Sequence, residues 1–341
     1  MRIKFVIALI LGLYFWSPSA QISDFDDIDF TKAENTVAIN DGKDLDNLPL
    51  LVHHLTANLS SDVEKFRAIY LWVCKNISGD PYQHRTVKIK RKEFKNDSLG
   101  YVSWNKEFAT VALKKLWKHK KTMCTGYAYL IKEMTVMANI ECEIVDGFAR
   151  SFETNIEELN DFNHSWNAVR LNNKWYLCDA TWSSGYMING TIFAQDYNDG
   201  YFLTDPVLFA KNHFPRNKKW FLNDELEHRT FFPEPIVYGE TFKHKILPIT
   251  PKDLKTTVEK NQTVTFQFKT FNEISQEDVS LIKISGDLHK PIKIYDYKNE
   301  DGLITFNCKF KSKGSVDVHL KIKKDIVASY IIKVVKPAKT S

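Results

Sequence analysis

The residues of this chain that could do covalent chemistry are first of all its cysteines. A cysteine nucleophile must be a thiolate near neutral pH, so it needs a lowered pKa and a base within hydrogen-bond reach. Cys124 meets the first need, because MCTGYAYL places it where a loop becomes a helix, and free N–H groups at a helix N-terminus favour negative charge on sulfur. The same N–H groups could stabilise an oxyanion. The other cysteines lack this setting: Cys74, Cys142, Cys178 and Cys308.

The segment HSWNAVRLNNKWYLCDATW predicts a β-hairpin that supplies a base and its partner. If Asn172 and Asn173 form a two-residue turn, every cross-strand pair has numbers that sum to 345, and His164 and Asp179 become diagonal neighbours on one face. Cys178 then points to the opposite face, because neighbours on a strand alternate. The inference depends on the turn, since a three-residue loop without a bulge would reverse this parity.

These positions predict one catalytic constellation. Cys124 is the predicted nucleophile, His164 the general base and later acid, and Asp179 the acceptor that fixes the tautomer and orientation of the imidazole. We interpret His213, in NHFPR, as a packing residue rather than one that lines the site. The chain has no Cys-x-x-Cys and no His-x-x-x-His, so we predict no metal site and no cofactor.

Three blocks carry a family resemblance: MCTGYAYL, NHSWNAV and KWYLCDATWSSG, in this order. They resemble the transglutaminase-like superfamily, the papain-like group of thiol acyl-transfer enzymes and peptidases, over roughly residues 48–222. YFLTDPVLFAKNHFPRNKKW is similar to a segment of the branch that contains the kyphoscoliosis peptidase. The resemblance implies the same three roles for Cys124, His164 and Asp179. It also implies a second oxyanion donor upstream of the helix, for which Trp104 is the candidate by type and position, with core packing as the alternative.

The elements that must position these residues follow from hydrophobic spacing. Apolar residues recur at helical intervals over 48–78, with Ser61 or Asp62 as a helix cap. We predict a long loop over 79–105, a helix over 106–119, and a further helix that begins at Cys124. Strands are predicted over 141–149, 164–171 and 174–180. Together they predict an α+β domain, papain-like or transglutaminase-like, that holds the candidate site.

A chain of 341 residues is long enough for two domains. We divide it into a signal peptide (1–20), an irregular lead-in (21–47), the catalytic domain (48–222), a Pro-containing linker (223–250) and a C-terminal domain (251–337). In the last of these, Val264, Phe266 and Phe268 alternate with polar residues, as do residues 316–322, and no helical stretch intervenes. This pattern predicts an all-β immunoglobulin-like sandwich.

The first twenty residues have a basic start, an apolar run and small residues near Ala20, which is typical of a secretory signal peptide. We therefore expect an exported protein, periplasmic or secreted, without an integral membrane segment after signal cleavage. The net charge of +5 is too small to indicate nucleic acid. Two basic runs, KIKRKEFK (88–95) and KKLWKHKK (114–121), are interpreted as solvated faces, with an anionic polymer or membrane surface as the alternative.

The sequence therefore predicts an exported cysteine-dependent enzyme that acts on peptide or carboxamide bonds through a thioester. Hydrolysis would make it a peptidase or amidase, and transfer to an amine would make it a protein cross-linking acyltransferase. Its expected partner is a protein or peptide substrate, and the sandwich is a candidate surface for a cell-envelope partner. The alternative is a non-catalytic papain-like binding or scaffold protein of the cell envelope.

Overall fold

The computed structural model describes residues 22–151, 162–226, 233–271, 273–285 and 288–337. The predicted signal peptide over 1–20 lies outside the described residues. The described helices are α1 (Thr31–Ile39), α2 (Leu48–Thr56), α3 (Asp62–Asn76), α4 (Pro81–Glu93), α5 (Ser98–His119), α6 (Cys124–Met137), α7 (Ala180–Ser184), α8 (Pro206–Phe209) and α9 (Gly239–Lys243). None of them is long and apolar enough to cross a membrane.

The strands fall into two groups: those of the N-terminal domain, which holds the candidate site, and those of a C-terminal β domain. The first group comprises β1 (Ser78–Gly79), β2 (Lys121–Thr122), β3 (Cys142–Ala149), β4 (His164–Leu171), β5 (Lys174–Cys178), β6 (Gly185–Ile188), β7 (Ile192–Gln195) and β8 (His213–Pro215). The second comprises β9 (Ile236–Val237), β10 (Ile246–Thr250), β11 (Lys255–Glu259), β12 (Thr263–Thr270), β13 (Val279–Ser285), β14 (Leu288–Ile292), β15 (Tyr295–Glu300), β16 (Leu303–Lys309), β17 (Gly314–Ile322) and β18 (Asp325–Val335).

A four-stranded sheet in the order β5-β4-β3-β8 is the frame of the N-terminal domain. The turn between β4 and β5 is the predicted one: Asn172 and Asn173 both have positive φ, and Leu171 pairs with Lys174. Asparagine tolerates this left-handed backbone, which type I′ hairpin turns require at both central positions. The predicted register is therefore confirmed, and it fixes which side chains share a face.

The two faces of this sheet pack against different partners. Cys178, Tyr176 and Val169 belong to the larger hydrophobic core, together with buried residues of α1, α2, α3 and α6. Trp166 and Leu177 belong to a second core, which also includes residues of α8 and α9. The sheet thus separates a helical side from a side covered by the later part of the domain.

Helix α3 follows the predicted capping chemistry. The Ser61 side chain accepts a hydrogen bond from the Glu64 N–H, and the Glu64 carboxylate accepts one from the Ser61 N–H, which completes a capping box. Each bond satisfies a donor that the first turn of a helix otherwise leaves unpaired. Burial of Phe66, Tyr70 and Val73 then anchors α3 in the core.

The predicted loop over 79–105 is wrong, because α4 and the first part of α5 occupy it. Asp80 caps α4 by accepting from the N–H groups of Tyr82 and Gln83, and Pro81 occupies the first helical position. Proline fits there because its missing N–H would have no intrahelical partner. Asp97 caps α5 in the same way through the Gly100 N–H. Asp80 and Pro81 therefore begin a helix in a segment whose sequence predicts a loop.

The lead-in over 21–47 was predicted as irregular and contains helix α1. Ala33 and Val37 of this helix are buried. The helix is held further by Glu34, whose carboxylate accepts a hydrogen bond of 2.6 Å from the buried Arg67 guanidinium. The apolar spacing of these nine residues does not by itself predict a helix. Contacts with the rest of the domain therefore stabilise it.

The C-terminal β domain packs two sheets face to face. One has the strand order β10-β12-β16-β15, and the other has β11-β18-β17-β13-β14 with β9 paired to β18. A shared core fills the space between them, with Phe266, Phe306 and Tyr330 among its buried residues. The predicted immunoglobulin-like sandwich is confirmed. The predicted linker over 223–250 needs correction, because β10 lies within it and is a strand of the first sheet.

The segment before the sandwich also joins the two halves of the chain. The Asn198 side chain donates to the Gly239 carbonyl at 2.7 Å, and the rings of Tyr201 and Phe242 stack at 4.2 Å. Thr241 in turn donates to the Val327 carbonyl of β18. Helix α9 is therefore in contact with both domains.

The two basic runs lie on α4 and on α5 with the residues that directly follow it. Leu116 is the one buried residue among the 22 of α5. Gln83 is the one buried residue among the 13 of α4. Most of the basic side chains are accordingly half-buried or exposed.

Candidate functional site

Cys124 begins helix α6, as predicted, and strand β2 delivers the chain to it. The N–H groups of Gly126 and Tyr127 both donate to the Met123 carbonyl, which starts the helix tightly at that residue. A Cβ atom at Gly126 would lie 1.9 Å from Thr122 Oγ1, so only glycine fits where β2 runs into the helix. The thiol of Cys124 is half-buried.

Two neighbouring elements hold this helix start in place. Strand β2 pairs in parallel with β1, and the N–H of Asp80 donates to the Thr122 carbonyl at 2.8 Å. On the other side, the Asn167 side chain of β4 donates to the Ala128 carbonyl of α6 at 2.9 Å. The strand that carries His164 is thereby tied to the helix that carries Cys124.

His164 and Asp179 meet on one face, as the hairpin register predicts. The Nε2 atom of His164 lies 2.7 Å from Asp179 Oδ2, and the two residues are 8% and 0% exposed. The N–H of Nε2 donates to the carboxylate, because an ionised carboxylate can only accept. In the neutral form of this ring, Nδ1 is therefore the nitrogen that can accept a proton. The aspartate fixes both the tautomer and the plane of the ring.

Cys124 and His164 influence each other's protonation. Burial raises the pKa of the Cys124 thiol, but its hydrogen bond to His164 and the charges of His164 and Arg91 outweigh burial, so the pKa is lowered. Burial lowers the pKa of His164, but the charge of Asp179, its hydrogen bond and the contact with Cys124 raise the pKa to about 10. Both shifts favour a thiolate beside an imidazolium.

Asp179 remains ionised although it is fully buried. Burial raises the pKa of its carboxyl, but the positive charge of His164 and hydrogen bonds from His164 and His213 lower it below the ordinary range. Asp179 also caps helix α7, because Oδ1 accepts from the N–H groups of Thr181 and Trp182 at 2.8 and 3.2 Å. The predicted strand over 174–180 therefore ends at Cys178, and Asp179 becomes a helix cap.

The other cysteines are buried free thiols with raised pKa values. Burial is the main cause in each, and it raises the pKa of Cys142 and of Cys308 to about 12. Cys178 lies on the face opposite to His164, where its thiol donates to the Asn167 carbonyl at 3.8 Å. The structure pairs none of these four cysteines in a disulfide.

His213 reaches the site, so its interpretation as packing alone is wrong. Strand β8 pairs with β3 and brings Nε2 of His213 to 3.1 Å from Asp179 Oδ2. Little in the sequence indicates this contact, because β8 has three residues and lies more than thirty positions after Asp179. The order of the sheet, with β8 beside β3, decides it.

Three side chains at this point form a set that could hold a metal ion. The ligand atoms of His164, Asp179 and His213 all lie within 4.8 Å of one another and are buried. However, both Nε2 atoms contact the same oxygen directly, at 2.7 and 3.1 Å. An ion would have to separate these pairs, since zinc binds nitrogen and oxygen ligands at roughly 2.0–2.2 Å each. Hydrogen bonds account for the set as it stands.

Arg91 and Trp104 belong to the two long helices α4 and α5. The guanidinium of Arg91, on α4, donates to the Phe162 carbonyl at 3.0 Å and is close enough to Cys124 to lower its pKa. Trp104, the candidate oxyanion donor, lies on α5, where its ring stacks on Phe108 at 4.9 Å and contacts Tyr101. Its described contacts are those of packing, and the oxyanion role stays a prediction.

Comparison with known proteins identifies this arrangement. Residues 50–180, which include Cys124, His164 and Asp179, match the family model of the transglutaminase-like superfamily. The domain belongs to this superfamily. Its resemblance to the branch of the kyphoscoliosis peptidase is confirmed as well, because the chain is 33% identical to that protein of Mus musculus over 198 residues. The human kyphoscoliosis peptidase is 30% identical over 256 residues.

The matched regions are parts of longer proteins. The mouse match covers 57% of this chain and 27% of the relative, and the human match covers 74% and 35%. Hillarin of Drosophila melanogaster is 24% identical over 237 residues, which are 65% of this chain and 26% of hillarin. The chain thus spans about a third or less of these relatives. Within this chain, the family match marks a transglutaminase-like domain with a papain-like fold.

Solved structures resemble the C-terminal domain only weakly. The filamin domain of Lin-41 matches 27% of this chain and 92% of that domain, with 11% identity and a TM-score of 0.22. Domain I81 of titin matches 27% of this chain and 97% of that domain, with 19% identity and a TM-score of 0.18. The description of this domain as a sandwich therefore comes from its strand order.

Proposed function

We propose that this chain is a cysteine-dependent enzyme that acts on amide bonds of proteins or peptides. Cys124 is the nucleophile, His164 the general base and acid, and Asp179 the residue that orients His164. The observation that carries the proposal is the lowered pKa of the Cys124 thiol at a helix start, beside a histidine whose Nε2 is bound to a buried carboxylate. A buried cysteine with no such partner has a raised pKa, as Cys178 does.

The proposed reaction begins with attack of the Cys124 thiolate on the carbonyl carbon of a peptide or carboxamide. A C–S bond forms, and the carbonyl oxygen becomes an oxyanion near the free N–H groups of the first turn of α6. His164, as imidazolium, gives its proton to the amide nitrogen as the C–N bond breaks. An amine or ammonia leaves, and the acyl group remains on sulfur as a thioester.

The second half of the reaction decides the product. Neutral His164 then takes a proton from an incoming water or amine, whose attack breaks the C–S bond and returns the thiolate. Water yields a carboxylic acid, as in a peptidase or amidase. An amine yields a new amide, as in a cross-linking acyltransferase. Both outcomes use the same three side chains.

The experiment that tests this proposal traps the thioester. The full chain is incubated with glutamine-containing peptides and with a fluorescent primary amine, and intact-protein mass spectrometry follows the acyl adduct. We expect an adduct that maps to Cys124 and is absent from Cys124→Ala, with product distributed between acid and labelled peptide. An adduct that persists in Cys124→Ala would contradict the proposal. Inertness toward every peptide, with an unreactive Cys124, would favour a papain-like binding or scaffold protein instead.

We further propose that residues 1–20 direct export of the chain to the periplasm or the exterior. The support is the basic start, the apolar run and the small residues before Gln21. Expression of the full chain followed by N-terminal sequencing of the mature protein tests it. Cleavage near Ala20 is the expected result, and an intact N-terminus on protein retained in the cytoplasm would contradict it.

A further inference from the structure

One oxygen of the buried Asp179 carboxylate is shared between two histidines. Oδ2 lies 2.7 Å from His164 Nε2 and 3.1 Å from His213 Nε2. Oδ1 accepts from the N–H groups of Thr181 and Trp182. An ionised carboxylate offers about four acceptor positions, and protein donors can fill all of them here. His164 and the two N–H groups already have roles, whereas the hydrogen bond from His213 does not.

Aromatic rings enclose the buried His213 ring on several sides. It is 1% exposed, and it stacks on the Phe209 ring with centroids 3.9 Å apart and planes 17° apart. The Trp166 and Trp182 rings enclose it at 4.9 and 4.7 Å. A ring confined in this way keeps its Nε2 atom aimed at one oxygen.

We propose that His213 is a positioning residue, which donates its Nε2 proton to Asp179 Oδ2 and thereby holds the carboxylate in the orientation that aligns His164 with Cys124. This inference rests on the proposed function of Cys124. It adds a fourth member to the constellation, one that acts through Asp179 and does not touch the reacting atoms.

The protonation of His213 suits this role. Burial, the largest cause, and the positive charge of His164 lower its pKa to about 4, so the ring is neutral at physiological pH. A neutral ring has one N–H, and an anionic carboxylate binds it more strongly than a neutral acceptor does. Nε2 therefore carries the proton. The Asn212 Oδ1 atom lies 2.7 Å from Nδ1. Rotation of this amide by 180° exchanges its oxygen and nitrogen, and the NH₂ group then donates to the unprotonated Nδ1.

A neutral donor also avoids a second positive charge next to His164. An imidazolium at position 213 would repel the imidazolium of His164 and disfavour the thiolate pair. A neutral N–H instead stabilises the negative charge of Asp179 and leaves the charge of His164 unopposed. The arrangement keeps the fully buried carboxylate ionised and at a fixed orientation.

Two substitutions separate a donor from a packing residue. His213→Phe keeps a ring for the stack on Phe209 but removes the N–H. His213→Gln loses the ring but places an amide N–H at about the distance of Nε2. If His213 only packs, the Phe variant is the milder change, and if it donates, the Gln variant is. His244→Phe is the matched control, because His244 contacts Asp325 at 2.8 Å in another part of the chain.

The assay is site-resolved alkylation of Cys124 by iodoacetamide between pH 5 and 9, on the full chain, with the thermal midpoint of each variant as a check of folding. We expect His213→Phe to alkylate Cys124 about tenfold more slowly at pH 6, which equals a rise of about one unit in the apparent pKa of the thiol. His213→Gln should retain a rate within about threefold of the wild type on the same scale. His244→Phe should match the wild type.

Wild-type protein offers a second measurement that needs no variant. In ¹⁵N-labelled protein, the His213 ring should remain in the Nε2–H form from pH 6 to 8. A rate in His213→Phe equal to that of the wild type, equal losses in the Phe and Gln variants, or a neutral Nδ1–H form would each overturn the inference. An ordinary pH profile for wild-type Cys124 would instead overturn the proposed function, whatever the His213 spectra show.

Discussion

Cys124 and Cys178 are chemically identical side chains in two different settings of one domain. Cys124 begins helix α6 and its thiol contacts His164, whereas Cys178 points into the helical core from β5, on the face of the sheet opposite to His164. The pKa of Cys124 is lowered by His164 and Arg91, and that of Cys178 is raised by burial and by the nearby Cys142, Asp179 and Cys74. Reactivity is set by the neighbours of a thiol rather than by its closeness in sequence to an acid.

The largest expected effect comes from replacing each of the two cysteines, Cys124 and Cys178, by serine. Cys124→Ser should lower alkylation of the whole protein at pH 6 by about 100-fold or more, because a serine hydroxyl stays protonated and the remaining thiols are buried. Cys178→Ser should stay within about twofold of the wild type in the same assay. Mass spectrometry of labelled peptides reads both. A loss in folded Cys178→Ser equal to that in Cys124→Ser would reverse the comparison.

Removal of the charge that orients His164 should have the next largest effect. In Asp179→Asn the amide cannot balance a charged imidazole, so the thiolate pair is weakened, and we expect alkylation of Cys124 to fall by roughly 100-fold at pH 6. Asp146→Asn is the control, since the exposed Asp146 accepts a hydrogen bond of 2.7 Å from Ser165 on the same sheet. Equal rates for the two variants would show that Asp179 does not act through its charge.

A backbone substitution tests how the helix start is built. Gly126→Ala should lower the free energy of unfolding by about 1–3 kcal/mol, because the new methyl group would overlap Thr122 Oγ1. Gly126→Ala should cost less unfolding free energy in a Thr122→Ala background, because the overlapping oxygen is absent there. Urea denaturation of the wild type, the two single variants and the double variant gives the coupling energy between the two positions. An additive pair would mean that the close approach does not constrain the segment before Cys124.

The raised pKa of His164 predicts a pH dependence of stability. The pKa of His164 is raised to about 10 in the folded protein, against about 6.5 in an unfolded chain. A raised pKa contributes stability that is fully present below pH 6.5 and is lost as the pH rises toward 10. The difference in unfolding free energy between the wild type and His164→Gln should therefore shrink from pH 6.5 to 10. Urea titrations at intervals of one pH unit measure it, and a constant or growing difference would contradict the assignment.

The site was predictable from sequence where local geometry decides it. Two asparagines that accept positive φ fix the hairpin register, and this register puts His164 and Asp179 on one face with Cys178 behind. Cys124 was placed by the change from loop to helix. Each of these inferences depends on a single local feature, either one hairpin turn or one helix boundary, which a few neighbouring residues determine.

Other features needed information that a single sequence does not carry. Helix α4 was missed because Asp80 and Pro81 suit a turn as well as a helix start. His213 was assigned to packing because its contact with Asp179 depends on β8 pairing with β3, a choice that the sheet makes as a whole. In the sequence Arg91 is one cation of a basic run. Its closeness to Cys124 depends on where helix α4 lies in the fold. Long-range strand order and helix placement decide all three.

The most direct test of this account measures both thiols in one molecule. Wild-type protein is treated with iodoacetamide from pH 5 to 9, and the labelled peptides that contain Cys124 and Cys178 are quantified separately. We expect Cys124 to be alkylated well below the ordinary thiol pKa of about 8.5, whereas Cys178 stays unlabelled until the protein is unfolded. Equal and slow labelling of the two cysteines, with a pH dependence of an ordinary thiol, would contradict it.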